Sequence, residues 1–388
     1  MTPRATLAWV ALLYVGEGLP AAVVHEVLPV WLRSEGLSLQ ALGLASLLSL
    51  PWSLKPLWAP AVDRAGRPGV WAAAGMGAVA LALLALPWAP PAARWALLLV
   101  VALGGATHDV AADGWAAAAP AALAGRVNGV RVAAYRAAAL GLGGGALLLA
   151  DRVAWPVLLA GGGAVAAALA LAEWRLPGAA APAAPLGDWA RALWAWARQD
   201  GAARGLGLLV LILGFKLGDA AMGPMIKPFW LDSGRSAAEI GLVSTTFGAA
   251  LTVVGALLGG ELVTRAGLGR ALVIGGVVQA VTNLGYAAAA VAPGRGAIVA
   301  ASLAESLGAG VGTAAFLALL TRLCAGAQAA TRFALLTSLG LLTRNLAGAL
   351  SGWGAADLGY AAWFALTGVI GLPALLLVGL ATRRVGPG

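Results

Sequence analysis

The apolar positions of this 388-residue chain fall in runs about as long as the ~20 residues an α-helix needs to cross a bilayer. Twelve such runs follow one another, at 8–32, 39–61, 70–90, 94–119, 128–150, 153–173, 204–231, 238–260, 270–292, 296–321, 332–354 and 358–381. The first comes just after Arg4, as a signal peptide would. It is long, however, holds Glu17 and leads into further spans rather than a polar mature domain, so it reads as a transmembrane helix. Six runs lie on either side of the one long connection. That connection opens as an Ala-rich linker with Pro177, Pro182 and Pro185. It closes with Asp188, Trp189, Arg191, Trp194, Trp196 and Arg198, the pattern of an amphipathic helix lying on a membrane surface. The expected organisation is a six-helix bundle over 1–173, a cytoplasmic linker over 174–203 and a second six-helix bundle over 204–388.

The two halves repeat one another. Pro29, Trp31, Leu32, Ser34, Gly36 and Ser46 return in order as Pro228, Trp230, Leu231, Ser233, Gly234 and Ser244, at an offset of 199 positions for the Trp pair and 198 for the last Ser. With six spans each, both halves begin on the same side of the membrane. That is the parallel repeat of the major facilitator architecture: an all-α membrane protein of twelve transmembrane helices in two bundles, with the solute site at the repeat interface. The repeated Trp is expected at the outer membrane interface. A second echo lies in the short cytoplasmic loops, Asp63, Arg64 and Arg67 after the second span and Glu261, Arg265 and Arg270 at the end of the eighth. It resembles the loop signature with which major facilitator transporters staple neighbouring helix ends in one alternating-access state. The plainer reading is turn glycines in positive-inside loops.

Composition agrees with a lipid solvent: 61% of residues are apolar and 11% charged, against about 45–50% and about 25% in soluble domains. The net charge of +9 suggests nucleic acid until its placement is read. With the N-terminus inside, 14 arginines fall on the cytoplasmic side and 5 on the other, a positive-inside bias that orients the chain and puts both termini in the cytoplasm. No nucleic-acid partner is expected. Cys324 is alone and His25 and His108 are the only histidines, so neither a disulfide nor a Cys/His metal site is expected. No cofactor is expected either. Abundant Gly, as at Gly308, Gly310 and Gly312, suits close helix contacts in lipid.

A charge at the bilayer centre costs about 2.5–3.5 kcal/mol on insertion scales, so charges within spans should face partners or a wet cavity. The acids are Glu17 and Glu26 in the first span, Asp109 and Asp113 in the fourth, Asp219 in the seventh and Glu305 in the tenth. They occupy every third helix, as a six-helix repeat requires if one helix of each three lines the cavity. Glu26 lies nearest the outer end. Asp109 and Asp113 stand one turn apart, where repulsion and burial both favour proton uptake, and His108 is placed to join them. The bases are Lys55 between Pro51 and Pro56, Lys216 three residues before Asp219, and Arg136 matched by Arg344 at an offset of 208. Each such group could also be a plain ion pair that orients helices. Arg131 and Lys227 are expected to reach the interface as anchors. Gly16, Gly18 and Pro20 are expected to interrupt the first span, and Gly218, Gly223 and Pro224 the seventh, at corresponding points of the two halves.

Several of these stretches carry a family resemblance. They are Ser53-Leu54-Lys55-Pro56-Leu57-Trp58-Ala59-Pro60 with Asp63-Arg64, His108-Asp109 through Asp113-Gly114-Trp115, Tyr135-Arg136, Lys216-Leu217-Gly218-Asp219-Ala220, residues 308–320 and Phe333-Ala334-Leu335-Leu336. Together they resemble the AmpG-type muropeptide permeases, from the first span to the twelfth. His108 stands where that family more often has an amide, and Gly114 where it has Ala. The chain closes after twelve spans, where some permeases carry more. The resemblance implies proton-driven import of an anhydro-muropeptide across the bacterial inner membrane, with wider relatives similar to acetyl-CoA carriers and siderophore importers.

The expected function is therefore a proton-coupled solute importer, acting as a monomer and using no enzyme chemistry. Glu17, Asp109, Asp113, Asp219 and Glu305 would take the proton or bind solute. Lys55, Arg136, Lys216 and Arg344 would neutralise them or grip cargo carboxylates. The alternatives are a siderophore or acyl-CoA importer, and a non-transporting membrane sensor or enzyme.

Overall fold

The computed structural model describes residues 1–64, 67–178, 201–324 and 329–385. Among these the chain is helical and holds no strand. The long helices are α1 (Pro3–Ala22), α2 (Pro68–Ala85), α3 (Pro91–Ala117), α4 (Ala124–Ala138), α5 (Trp155–Glu173), α6 (Ala202–Phe215), α7 (Leu217–Asp232), α8 (Gly248–Ala266), α9 (Leu268–Val291), α10 (Arg295–Leu323) and α11 (Ala329–Ile370). Residues 179–200 of the expected linker 174–203, including the expected surface helix, lie outside the described residues.

Among the described residues, ten segments are long and apolar enough to cross a membrane. The count of twelve is recovered from two local effects. The expected second span is broken into Leu39–Ala45, Leu50–Leu54 and Ala59–Arg64 with 3-10 turns between them, because Pro51, Pro56 and Pro60 each remove a backbone donor. The last two spans run together as Leu336–Thr382 and are turned at Gly359, whose φ of 78° and ψ of 160° end one helix and start the next. Such a conformation is open to glycine and strained for other residues.

The expected helix interruptions shift along the chain. α1 runs through Gly16, Gly18 and Pro20, and its irregularity is a π-helical turn at Val23–Val27. In the seventh span the break falls at Lys216, whose φ of −103° and ψ of 5° separate α6 from α7, and α7 then runs through Pro224 and Pro228. Gly16, Gly18 and Gly218 act in packing instead, while Gly223 faces open space. A Cβ on Gly218 would lie 2.4 Å from the Thr367 carbonyl oxygen, so α7 and α11 meet backbone to backbone there. The α8–α10 contact is built the same way: a Cβ on Gly310 would lie 2.2 Å from the Thr252 carbonyl oxygen.

Contacts divide the chain into two compact units, 1–31 with 48–186, and 32–47 with 187–388. In the first, α2 packs along α3 and α5, and α1 along α3 and α4. Its core gathers Val10, Leu13, Tyr14, Val62, Val110 and Trp115. In the second, α10 packs along α8 and α9, and α11 along α7, α9 and the short helix Leu39–Ala45. Its core gathers Leu211, Phe215, Leu272, Leu319, Leu320 and Leu336. Trp31 and Trp230 are packed inside the protein. They are 2% and 0% exposed, Trp31 beneath the Arg94 guanidinium and Trp230 donating to the Tyr286 hydroxyl at 3.4 Å. A buried indole needs a partner for its N–H, and Trp230 has one.

Candidate functional site

The first unit holds a charge cluster built by three elements. Asp109 and Asp113 stand one turn apart on α3, and Glu17 comes from α1 packed beside it. One carboxylate oxygen from each of these three acids lies within 4.8 Å of the others. Lys55 enters from the broken second span, at the junction where Leu50–Leu54 gives way to a 3-10 turn. Its Nζ pairs closely with Asp109 Oδ2 and reaches Asp113 Oδ2 at 3.2 Å. The proline-broken helix thus delivers the cation.

Two further members escaped the sequence reading. Arg131 on α4 is not an interface anchor: its Nη2 donates to Asp113 Oδ1 at 2.5 Å and its guanidinium lies 4.6 Å from the Tyr14 ring centre. Tyr14 donates its hydroxyl to the same Asp113 Oδ1 at 2.6 Å. Tyr14 precedes Glu17 by three residues, one turn on the same helix face, and that spacing was the available signal. Asp113 therefore holds Lys55, Arg131 and Tyr14, whereas Glu17 keeps one buried oxygen, Oε2, without a hydrogen-bond partner. Three acids face two bases, leaving one negative charge that a single proton neutralises. The three acids are close enough to ligate one metal ion, but Lys55 and Arg131 already supply the positive charge there.

The second unit holds a smaller cluster. Lys216, at the α6–α7 break, donates to Asp219 Oδ2 at 2.9 Å, to Gln279 Oε1 at 2.7 Å and to the Ala309 carbonyl at 3.4 Å. Gln279 was not singled out, although an amide in the middle of the apolar ninth span was visible. Its Nε2 donates to the Gly275 carbonyl at 3.0 Å and occupies the space a side chain at Gly312 would need, 2.0 Å from that Cβ. Glu305 lies within electrostatic reach of Lys216 and Asp219.

The remaining expected residues stand apart. Arg136 and Arg344 are exposed and make no contact with either cluster among the described residues. His108 does not join Asp109 and Asp113. It turns to the end of α5, where its Nε2 lies 2.9 Å from Glu173 Oε1, both side chains fully buried. Of the loop residues, Arg67 and Arg270 are exposed. Arg265 pairs with Glu261 on its own helix rather than stapling a neighbour. The side chains of Asp63 and Arg64 lie outside the described residues.

A family profile described as acetyl-coenzyme A transporter 1 matches residues 7–72, the stretch that carries Glu17 and Lys55. Among solved structures, the nucleoside transporter NupG superposes with a TM-score of 0.75 at 13% identity, covering 99% of this chain and 100% of its own. A bacterial homologue of the lysosomal transporter Spinster gives 0.74 at 16%, covering 98% and 97%. These likenesses fix the major facilitator fold. In sequence, the chain is 32% identical over 97% of its length, and 79% of the relative's, to the anhydromuropeptide permease of Escherichia coli K12. It is 26% identical over 96% of both chains to a putative AmpG transporter of Rickettsia felis. The relatives are permeases and transporters, so the two charge clusters belong to a solute carrier of the inner membrane and not to an enzyme. The chain is a member of the AmpG permease family of the major facilitator superfamily.

Proposed function

We propose that this chain imports an anhydro-muropeptide-like solute together with protons, by alternating access between two six-helix bundles. The observation that carries the proton half is the Glu17–Asp109–Asp113 cluster, three carboxyls against two cations with one Glu17 oxygen unpaired. Two like charges 4 Å apart repel by about 4 kcal/mol at an effective dielectric of 20. Taking up one proton removes that repulsion, and releasing it restores it. A group that exchanges one proton with a change of local charge balance is what coupling requires.

The solute half is supported by kinship with the E. coli anhydromuropeptide permease over nearly the whole chain. A solute with sugar hydroxyls and peptide carboxylates suits a protein that offers Lys216 with Asp219 and Gln279 in one unit and acids with Lys55 in the other. A second reading, an acyl-CoA solute, is favoured by the profile match over residues 7–72.

Purified protein in liposomes tests both halves. Labelled anhydro-muropeptide should enter when the outside is acidic and stop when a protonophore is added. Uptake indifferent to the protonophore ends the coupling proposal. Counterflow driven by acetyl-CoA but not by muropeptide replaces the solute.

A further inference from the structure

Behind the proton cluster lies a second buried pair that the transport reading does not use. His108 and Glu173 are both 0% exposed and meet at 2.9 Å. Their outer atoms, His108 Nδ1 and Glu173 Oε2, are buried without hydrogen-bond partners. Each such orphan costs free energy, so the pair is not explained by its contribution to stability. Apolar residues of similar volume would do at least as well there.

The helices make room for it. A Cβ on Gly16 of α1 would lie 2.7 Å from Glu173 Oε1 and 2.8 Å from His108 Nε2, so a side chain at 16 and the pair exclude one another. From α2, a Cβ on Gly75 would lie 3.0 Å from the His108 backbone nitrogen, and one on Gly69 would lie 2.8 Å from the Glu173 carbonyl oxygen. Among the described residues, α2 has no titratable residue and α5 offers Glu173 alone; on α1 Arg4 is exposed at the helix start, and Tyr14 and Glu17 belong to the acid cluster.

The decisive feature is the register. Gly16 is followed by Glu17 and His108 by Asp109. Residues 16 and 108 close on Glu173, while their successors 17 and 109 close on each other and on Lys55. Successive helical residues point about 100° apart, so one contact behind the helices fixes the angle at which the two carboxyls meet in front. The geometry points to His108 and Glu173 as a positioning pair, a hydrogen bond that locks α1, α3 and α5 so that Glu17 and Asp109 share a proton site. The inference rests on the proposed role of that site.

The test is proton-driven uptake of labelled anhydro-muropeptide in liposomes, read as rate against external pH. A double variant, His108→Leu with Glu173→Leu, leaves no buried charge and should keep the melting temperature. It should nonetheless lower uptake about ten-fold or more and move the pH midpoint. His108→Gln, which can still donate to Glu173, should keep both rate and midpoint, as should Glu173→Gln, which still accepts from the imidazole. A stable double variant with native rate and midpoint overturns the inference. So does a midpoint shift in Glu173→Gln, which would mean that the charge and not the hydrogen bond matters. If the double variant does not fold, the two Gln variants still decide. Glu17→Gln is the control for the underlying reading: a native pH profile there sinks the proton site itself, whatever His108 does.

Discussion

The two charge clusters stand at related places in a repeated frame and are built in opposite ways. Glu17 and Lys216 are matched by the 199-residue offset that matches Trp31 with Trp230, and they carry opposite charges. In the first unit the acids come from two helices and the two cations from two further segments. In the second the cation stands at the α6–α7 break, three residues before its acid on α7, with Gln279 closing the set. That pair is neutral by itself, and Glu305 within its electrostatic reach adds one further acid. The three-acid cluster is neutral only when it holds a proton. The first unit gathers three acids at one point, and we propose it as the site of proton exchange, with the second unit contacting solute.

Lys55→Met should break this comparison hardest. It leaves Asp109, 6% exposed, beside two other carboxyls. Removing one partner of a buried pair costs about 3 kcal/mol or more. We expect a fall of several degrees in melting temperature and loss of uptake by about 100-fold. Adding Asp109→Asn should return the melting temperature without the uptake. Uptake within two-fold of native would remove Lys55 from the site.

Asp219→Asn is the corresponding change in the second unit, and it should cost less. Lys216 keeps Gln279, the Ala309 carbonyl and an amide oxygen. We expect uptake reduced about ten-fold through KM with an unmoved pH midpoint, since an ionic hydrogen bond is worth about 1.5–3 kcal/mol. A moved midpoint would put proton exchange in both units. Gly312→Ala should have a smaller effect of the same kind. Its methyl would displace the Gln279 amide, the flexible end of a side chain, at about 1 kcal/mol. KM should rise a few-fold with the melting temperature nearly kept.

The fold was legible in the sequence because hydrophobic run length and the 199-residue echo are long-range signals that local detail cannot disguise. The acids were legible for the same reason, since charge in an apolar span stands out. What could not be read is orientation around each helix axis. Arg131 and Arg136 lie on one helix, yet the first is in the site and the second is exposed. His108 precedes Asp109 and faces another helix. The burial of the repeated Trp against Arg94 and Tyr286 was likewise not legible from residue type. Gly16, Gly18 and Gly218 looked like breaks and proved to be contacts, because a missing side chain serves either purpose until a neighbour is known.

The smallest predicted effect concerns a second matched pair. Arg33 and Asp232 are again separated by 199 positions and again oppositely charged, and within the second unit they form a two-pronged ion pair at 2.7 Å and 2.7 Å. Tyr360 adds a hydroxyl donated to Asp232 Oδ2 at 2.6 Å. Partly exposed pairs contribute about 0.2–1 kcal/mol, with bidentate Arg geometry at the upper end. A cycle of Arg33→Asp, Asp232→Arg and the double swap, followed by thermal unfolding in detergent, should give a coupling energy near 1 kcal/mol. The swap should recover most of what either single change loses. Tyr360→Phe should cost about 0.5 kcal/mol in the native chain and less in the swap, where the carboxylate has moved to position 33. A coupling near zero would mean that opposite charge at matched positions is incidental here, and would weaken the same argument for Glu17 and Lys216.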